Sequence, residues 1–461
     1  MDTTMIAQGV RKSLQAAAFV VFAGAAPFQA AADTLAGAMT AAYNNSNILD
    51  QQRALLRGND EDVAIALSAL LPQINASAAI TGSSPSFRGE TLSSSVALTL
   101  ELLVWDAGRS ALGVEAAKET VLAVRAQLLQ QEQSVLLDAV NAYVQVLRDA
   151  RVVELRQNNL RLITQELRAA RDRFEVGEVT RTDVAQAEAR LAQARGARAE
   201  AQGQLEISRE LYIIAVGRKP SALAGIASLP KLPASVDAAK AIAKRSSPLI
   251  EQVQRQIKSA ELNYAAAQAR TRPRITLQGQ AAHDSNTESS ANLSLQMTVP
   301  IYQGGQLSAL VRKSLAQVHA SKSNLNLVVL QTEQNVANSW SRLLVANAQV
   351  DAADRQIRAA RIAFEGVREE AKLGARTTLD VLDAEQALFD ARTNRVVSET
   401  EVYSAAYTLL ASMGKLTAQN LGLGVKTYDP SEYYNAVQSA PVPSSKQGKK
   451  LDRILKRYEK N

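Results

Sequence analysis

The chain of 461 residues contains no cysteine and two histidines, His283 and His319. The missing thiols exclude disulfides, thiolate metal sites and a lipid-modified N-terminal cysteine. Two histidines leave little for a histidine-rich metal centre or an acid–base relay. Catalytic signatures are missing too: there is no nucleophile elbow, no HExxH and no phosphate loop. GNDED at Gly58–Asp62 lacks calcium-loop spacing and reads as a polar helix face. VGRKP at Val216–Pro220 lacks the glycine pattern of a phosphate cradle and reads as a helix stop. His283 is expected in an exposed turn, and His319 on a long helix as a surface or packing residue. These gaps argue against an enzyme. Between Gly108 and Gly177, and between Gly305 and Gly374, there is no proline and a single glycine each.

The N-terminus carries Arg11 and Lys12, an apolar run from Leu14 to Ala26, and the small residues Ala30-Ala31-Ala32. That order predicts a secretory signal over 1–32, with the mature chain starting at Asp33. No later segment offers the roughly 18 uncharged apolar residues of a spanning helix. The formal charge of +7 would suggest nucleic acid, but Lys446–Asn461 holds seven Lys/Arg against two acids, a net of +5. The body is therefore near neutral, nucleic acid is not an expected partner, and residues 425–461 are expected to form a mobile basic tail.

FEVGEVTRTDVAQAEARL at Phe174–Leu191 returns as AKLGARTTLDVLDAEQAL at Ala371–Leu388, 197 residues later. Trp105 answers Tyr302, Gly108 answers Gly305, and Gly217 answers Gly414 at the same offset. Such self-similarity predicts two tandem copies of one unit: residues 33–217, a linker 218–235, and residues 236–424. Each copy should open with a helix, about Thr34 to Leu70 in the first. Ile74, Ala76, Ala78 and Ile80 then alternate with Asn75, Ser77 and Thr81, and Val96, Leu98, Leu100 and Leu102 with Ala97, Thr99 and Glu101. The second copy alternates likewise through Ile275 and Leu277, and from Leu293 to Ile301. Period two with small polar residues on the second face predicts half-apolar strands.

The proline-free stretches are rich in alanine, leucine, glutamine, glutamate and arginine, with apolar residues spaced 3-4 from Val153 to Phe174 and from Leu343 to Val367. They predict helices of roughly 100 Å at 1.5 Å per residue. Gly177 and Gly374 should end them, Thr180 or Thr182 and Thr377 or Thr378 should cap the returning helices, and Asp183 and Asp380 should lie in the first turns. The fold class expected is thus mixed α+β, two tandem repeats of long α-helical hairpins plus β-hairpins. Four strands with a lipid-compatible face cannot close a barrel or leave edges bare in lipid. Several chains must pool their strands, and the space the helices must enclose favours three.

This pattern resembles the TolC-type outer-membrane channels of bacterial efflux and type I secretion, over Asp33 to about Gly424. The resemblance is carried by WDAGR (Trp105–Arg109), PIYQGG (Pro300–Gly305), EVGEVTRTDV (Glu175–Val184) and KLGARTTLDVLDA (Lys372–Ala384). It implies a homotrimer with a twelve-stranded β-barrel in the outer membrane, continued by an α-helical barrel across the periplasm. It implies tips gripped by a periplasmic adaptor of an inner-membrane pump, either ABC-type or proton-driven. Val176, Gly177, Val179, Leu373, Gly374 and Arg376 match the docking positions. Trp105, Gly108, Tyr302, Gly304 and Gly305 match the strand-to-helix junctions. Asp183 and Arg376 match an aspartate and arginine that can lock one tip to the other, and Asp380 and Asp383 match aspartates that narrow the entrance. Ala371 stands where some members carry an aromatic residue, so a lock through that ring is not expected here.

Asp380 and Asp383 lie one turn apart on a helix and can face one side, so three chains would stack carboxylate rings that favour cations. The alternative for both is a helix-terminal acid favoured by the dipole. A periplasmic coiled-coil adaptor or rod would explain the helices and tips but not the alternating strands. Within the channel class, the missing anchor cysteine and the YQGG form of the second junction resemble the type I secretion branch more than the multidrug efflux branch, and the resemblance alone favours secretion.

Overall fold

The computed structural model describes residues 33–83, 91–226, 228–285 and 287–458. The predicted signal segment 1–32 lies outside them. The first copy runs α1 (Leu35–Asn45), α2 (Asn47–Ser68), β1 (Gln73–Ser83), β2 (Thr91–Trp105), α3 (Arg109–Glu175) and α4 (Arg181–Val216). The second runs α5 (Val236–Ser246), α6 (Pro248–Ala269), β3 (Arg274–Asp284), β4 (Thr287–Thr298), α7 (Gln306–Lys372) and α8 (Thr378–Ser412). Helices α9 (Pro430–Val437) and α10 (Lys446–Tyr458) follow.

The expected first helix is two helices. Ser46 takes an extended conformation and its hydroxyl accepts from Leu49 N at 3.3 Å, capping α2. Ser247 with Pro248 makes the same break between α5 and α6, where proline suits the first helical position. The repeats are not uniformly 197 apart. Helices α1 and α5 start at 35 and 236, an offset of 201, whereas α3 and α7 start at 109 and 306, an offset of 197. The four-residue difference falls in the first β-hairpin.

The sheet is antiparallel in the order β1-β2-β3-β4. Its register stacks like with like: Ile74 pairs Leu100, Leu100 pairs Gly279, and Gly279 pairs Leu293. On the other face Asn75, Thr99, Gln280 and Asn292 form one row. The apolar face is not covered: Ile80 is 76% and Leu293 69% exposed. Strands β1 and β4 each have one edge without a partner among the described residues. His283 lies within β3, beside Ser289 Oγ at 3.0 Å, not in the turn expected for it. No described helix is long and apolar enough to cross a membrane.

Helices α3 and α7 have 67 residues each, about 100 Å at 1.5 Å per residue. Each pairs with the helix that follows it, and α3 also packs against α8, joining the copies. The main core lies mid-height, around Tyr143, Tyr212, Leu136 and Leu409, all buried. Asp33, the expected mature start, is buried there: its carboxylate accepts from Tyr212 OH and Arg218, each at 2.7 Å. A smaller cluster of Ile163, Leu167, Ala187, Leu191, Ala194 and Leu382 lies toward the tips.

The basic tail departs from the mobile segment expected of its charge. Helix α9 packs on α2, with Tyr433 OH donating to Glu61 at 2.7 Å and Arg125 donating to Pro430 O at 3.3 Å. Helix α10 rests on α9 through Leu451, Tyr433 and Val437. Leu451, Ile454, Leu455 and Tyr458 stand at the i, i+3, i+4, i+7 spacing of an amphipathic helix, a pattern overshadowed in the sequence by the charge of the tail.

Candidate functional site: the paired helix tips

Both tips are built by one hydrogen-bond scheme. In the first, Gly177 N donates to Phe174 O at 3.0 Å and Glu178 N to Arg173 O at 2.9 Å; in the second, Gly374 N donates to Ala371 O at 3.1 Å and Ala375 N to Glu370 O at 2.9 Å. Gly177 and Gly374 hold φ of 81° and 77°, the left-handed conformation that ends helices at glycine. A β-carbon on either would meet nothing within 4 Å. These glycines are therefore needed for the turn and leave a flat, open backbone.

The returning helices begin with matched capping boxes. Thr180 Oγ1 accepts from Asp183 N and the Asp183 carboxylate accepts from Thr180 N at 2.8 Å; Thr377 and Asp380 repeat this, with Thr377 N to the carboxylate at 2.9 Å. Of the threonines considered, Thr180 and Thr377 are the caps. The backbone N–H of Thr377, then its hydroxyl, hold the Asp380 carboxyl below its ordinary value.

Asp183 and Arg376 are not joined within the protomer. Arg376 Nε donates to Glu370 on its own tip at 2.9 Å, and Asp183 serves its own helix. The connection between hairpins is made instead by Arg190 of α4, which donates to Asp383 of α8 at 2.6 Å. Deeper in the same seam, Asn159 of α3 donates to Glu385 of α8 at 3.2 Å. Neither Arg190 nor Glu385 stood out in the sequence, because long-range pairing between copies has no local spacing. The tips also expose apolar residues: Val176 is 71% and Leu373 86% exposed, with Val179 partly covered. Phe174, expected in the helix seam, is exposed, whereas its counterpart Ala371 is buried.

At the opposite end, Trp105 and Tyr302 are exposed where the strands give way to helices. Gly108, Gly304 and Gly305 hold positive φ there. Asp106 caps α3 by accepting from Ser110 N at 2.8 Å.

The profile described as outer membrane efflux protein matches residues 38–212 and again 241–415, one match per copy. The chain belongs to the outer membrane efflux protein family. Members of this family are channels of the outer membrane and not enzymes, as the TolC-type resemblance implied. The chain is 36% identical to the outer membrane efflux protein BepC of Brucella suis over 93% of this chain and 95% of that one. It is 26% identical to the alkaline protease secretion protein AprF of Pseudomonas aeruginosa, over 62% of this chain and 61% of that one. Its fold matches a crystal structure of CusC with a TM-score of 0.76, at 19% identity, over 83% of this chain and 92% of that one.

Proposed function

We propose that three copies of this efflux-family chain form the outer-membrane exit duct of a tripartite export system. Twelve pooled strands would make the barrel and the long helices a tunnel through the periplasm, with the tail beside it. The observation that carries this reading is the four-stranded sheet, with one apolar face exposed and two edges unpaired. Lipid tolerates such a face but not such edges, and closure through neighbouring copies removes them. The helical tips then ring one mouth. Val176, Gly177, Val179, Leu373, Gly374 and Arg376 form an accessible surface for a periplasmic adaptor, which links the duct to an inner-membrane ABC-type or proton-driven pump. Asp183, Arg376, Asp380 and Asp383 are the acidic and basic groups of the entrance.

The cargo we favour is a secreted protein. The missing anchor cysteine, the YQGG junction and the likeness to a protein named for protease secretion support this. The small-molecule reading has its own support in the fuller likeness to a protein named for efflux. Deleting the gene and scoring secreted proteins beside drug susceptibility separates the two. The duct itself is tested in a planar bilayer, with wild type beside Asp380→Ala/Asp383→Ala. Small cation-preferring steps that grow and lose selectivity in the variant support an acidic entrance. Equal steps place the constriction elsewhere, and no steps from folded protein point to a periplasmic rod.

A further inference from the structure

Glu188 and Glu385 occupy equivalent places in the two copies, 197 residues apart, and so do Arg171 and Arg368. In the first hairpin the pair is made in solvent: Arg171 donates to Glu188 at 2.5 Å. In the second hairpin it is not. Glu385 is 4% exposed and turned into the seam between α8 and α3. One of its oxygens accepts from Asn159 and the other has no hydrogen-bond partner. Arg368 meanwhile lies exposed on α7, with no ion pair among the described residues.

The surroundings favour a neutral Glu385. Burial first, and then Glu166 on α3, push its carboxyl up to about 7, against smaller opposing effects of Asn159 and Arg368. The other charged groups nearby are engaged. Arg190 is tied to Asp383 on the tip side, and Arg156 of α3 stacks over the Phe389 ring at 4.4 Å on the far side.

We propose that Glu385 is a proton-operated latch between the two hairpins. Neutral, it stays on Asn159 and holds α8 against α3. Ionised, it gives its proton to water and leaves the seam for Arg368, the arrangement that Glu188 and Arg171 already show. The second hairpin is then freed at its tip end. That release widens an entrance only if the duct reading above holds, but the latch itself does not depend on it. The sign follows from the raised value: the contact is fully present below the ordinary carboxyl value of 4.5 and lost as pH rises through about 7.

The cysteine-free chain accepts spin labels cleanly at L162C on α3 and A387C on α8, both exposed sites. The distance between the labels within one protomer is measured by pulsed electron resonance at about pH 5 and pH 8. The expected result is a longer distance at the higher pH in the otherwise wild-type chain and a short, pH-independent one in Glu385→Gln. Arg368→Ala, which removes the alternative partner, is expected to move the transition to higher pH. A distance that ignores pH, or one that shifts equally in Glu385→Gln, overturns the latch. Labels that move as expected in a protein showing no bilayer conductance uphold the latch and reject the duct.

Discussion

Arg190 and Asp383 join the two copies near their tips, guanidinium to carboxylate at 2.6 Å, with side chains 35% and 57% exposed. An ion pair so open to water contributes about 0–1 kcal/mol. It can hold the hairpins together and still be broken by a docking partner. Arg190→Ala is therefore expected to enlarge single-channel conductance while shifting unfolding by no more than about 1 kcal/mol. Asp383→Ala should act alike, and the double variant should add nothing to either single one. Additive effects would show that the two residues work separately.

Asp380 can be a cap, a member of a charged ring, or both, and two substitutions separate these roles. Asp380→Ala removes the acceptor for Thr377 N and should loosen the first turn of α8. Amide exchange over that turn reads the loosening. Asp380→Asn keeps an oxygen acceptor and removes the charge, so the turn should stay protected. If a ring of these carboxylates selects ions, the reversal potential in a salt gradient moves in both variants. A potential that stays at its wild-type value in both leaves the cap alone.

Asp60 on α2 is wholly buried, and neither carboxylate oxygen has a hydrogen-bond partner. Burial pushes its carboxyl up to about 6, with Arg125 opposing and Glu61 adding to the rise. For a raised carboxyl, the stabilising contribution is present below the ordinary value of 3.8 and lost as pH rises through about 6. That rise in the carboxyl value corresponds to about 2–3 kcal/mol. Asp60→Asn should therefore leave thermal stability near pH 4 unchanged and raise it at pH 8. Equal effects at the two pH values would mean that Asp60 is not the titrating group.

The long helices, the alternating strands and the tips were legible because each repeats a short-range pattern. Helix formers without proline run from Gly108 to Gly177, period two runs through Ile74–Ile80, and glycine stands at both helix ends. Three features were not legible. The break at Ser46 depends on one hydroxyl finding Leu49 N in a stretch whose apolar pattern continues across it. The docked tail depends on Tyr433 reaching Glu61, 372 residues away in sequence. Glu188 and Glu385 carry the same letter in the same repeat position, yet one is solvated and the other buried. Repeat symmetry in a sequence predicts backbone, and the packing between copies then decides what each side chain does. The expected Asp183–Arg376 lock is a case in point, since within the protomer each residue has a partner on its own tip.

Gly374 and Gly414 share a left-handed backbone, with φ of 77° and 75°, but not their surroundings. A β-carbon on Gly374 would meet open space, whereas one on Gly414 would lie 2.2 Å from the backbone oxygen of Ser246, where α5 ends. Gly374→Ala therefore costs only backbone strain, about 1 kcal/mol. Gly414→Ala adds a collision with backbone, which cannot swing aside as a flexible side chain can. The proposed roles sharpen the contrast, because the Gly374 tip is a docking surface and Gly414 is where the second hairpin closes on its own copy. Gly414→Ala should lower the melting temperature strongly and reduce the yield of assembled protein. Gly374→Ala should melt within a few degrees of wild type yet be captured poorly by a purified periplasmic adaptor. Equal melting losses in the two variants would mean that strain, not contact, sets the cost at both glycines. Undiminished capture of Gly374→Ala would remove that tip from the docking surface.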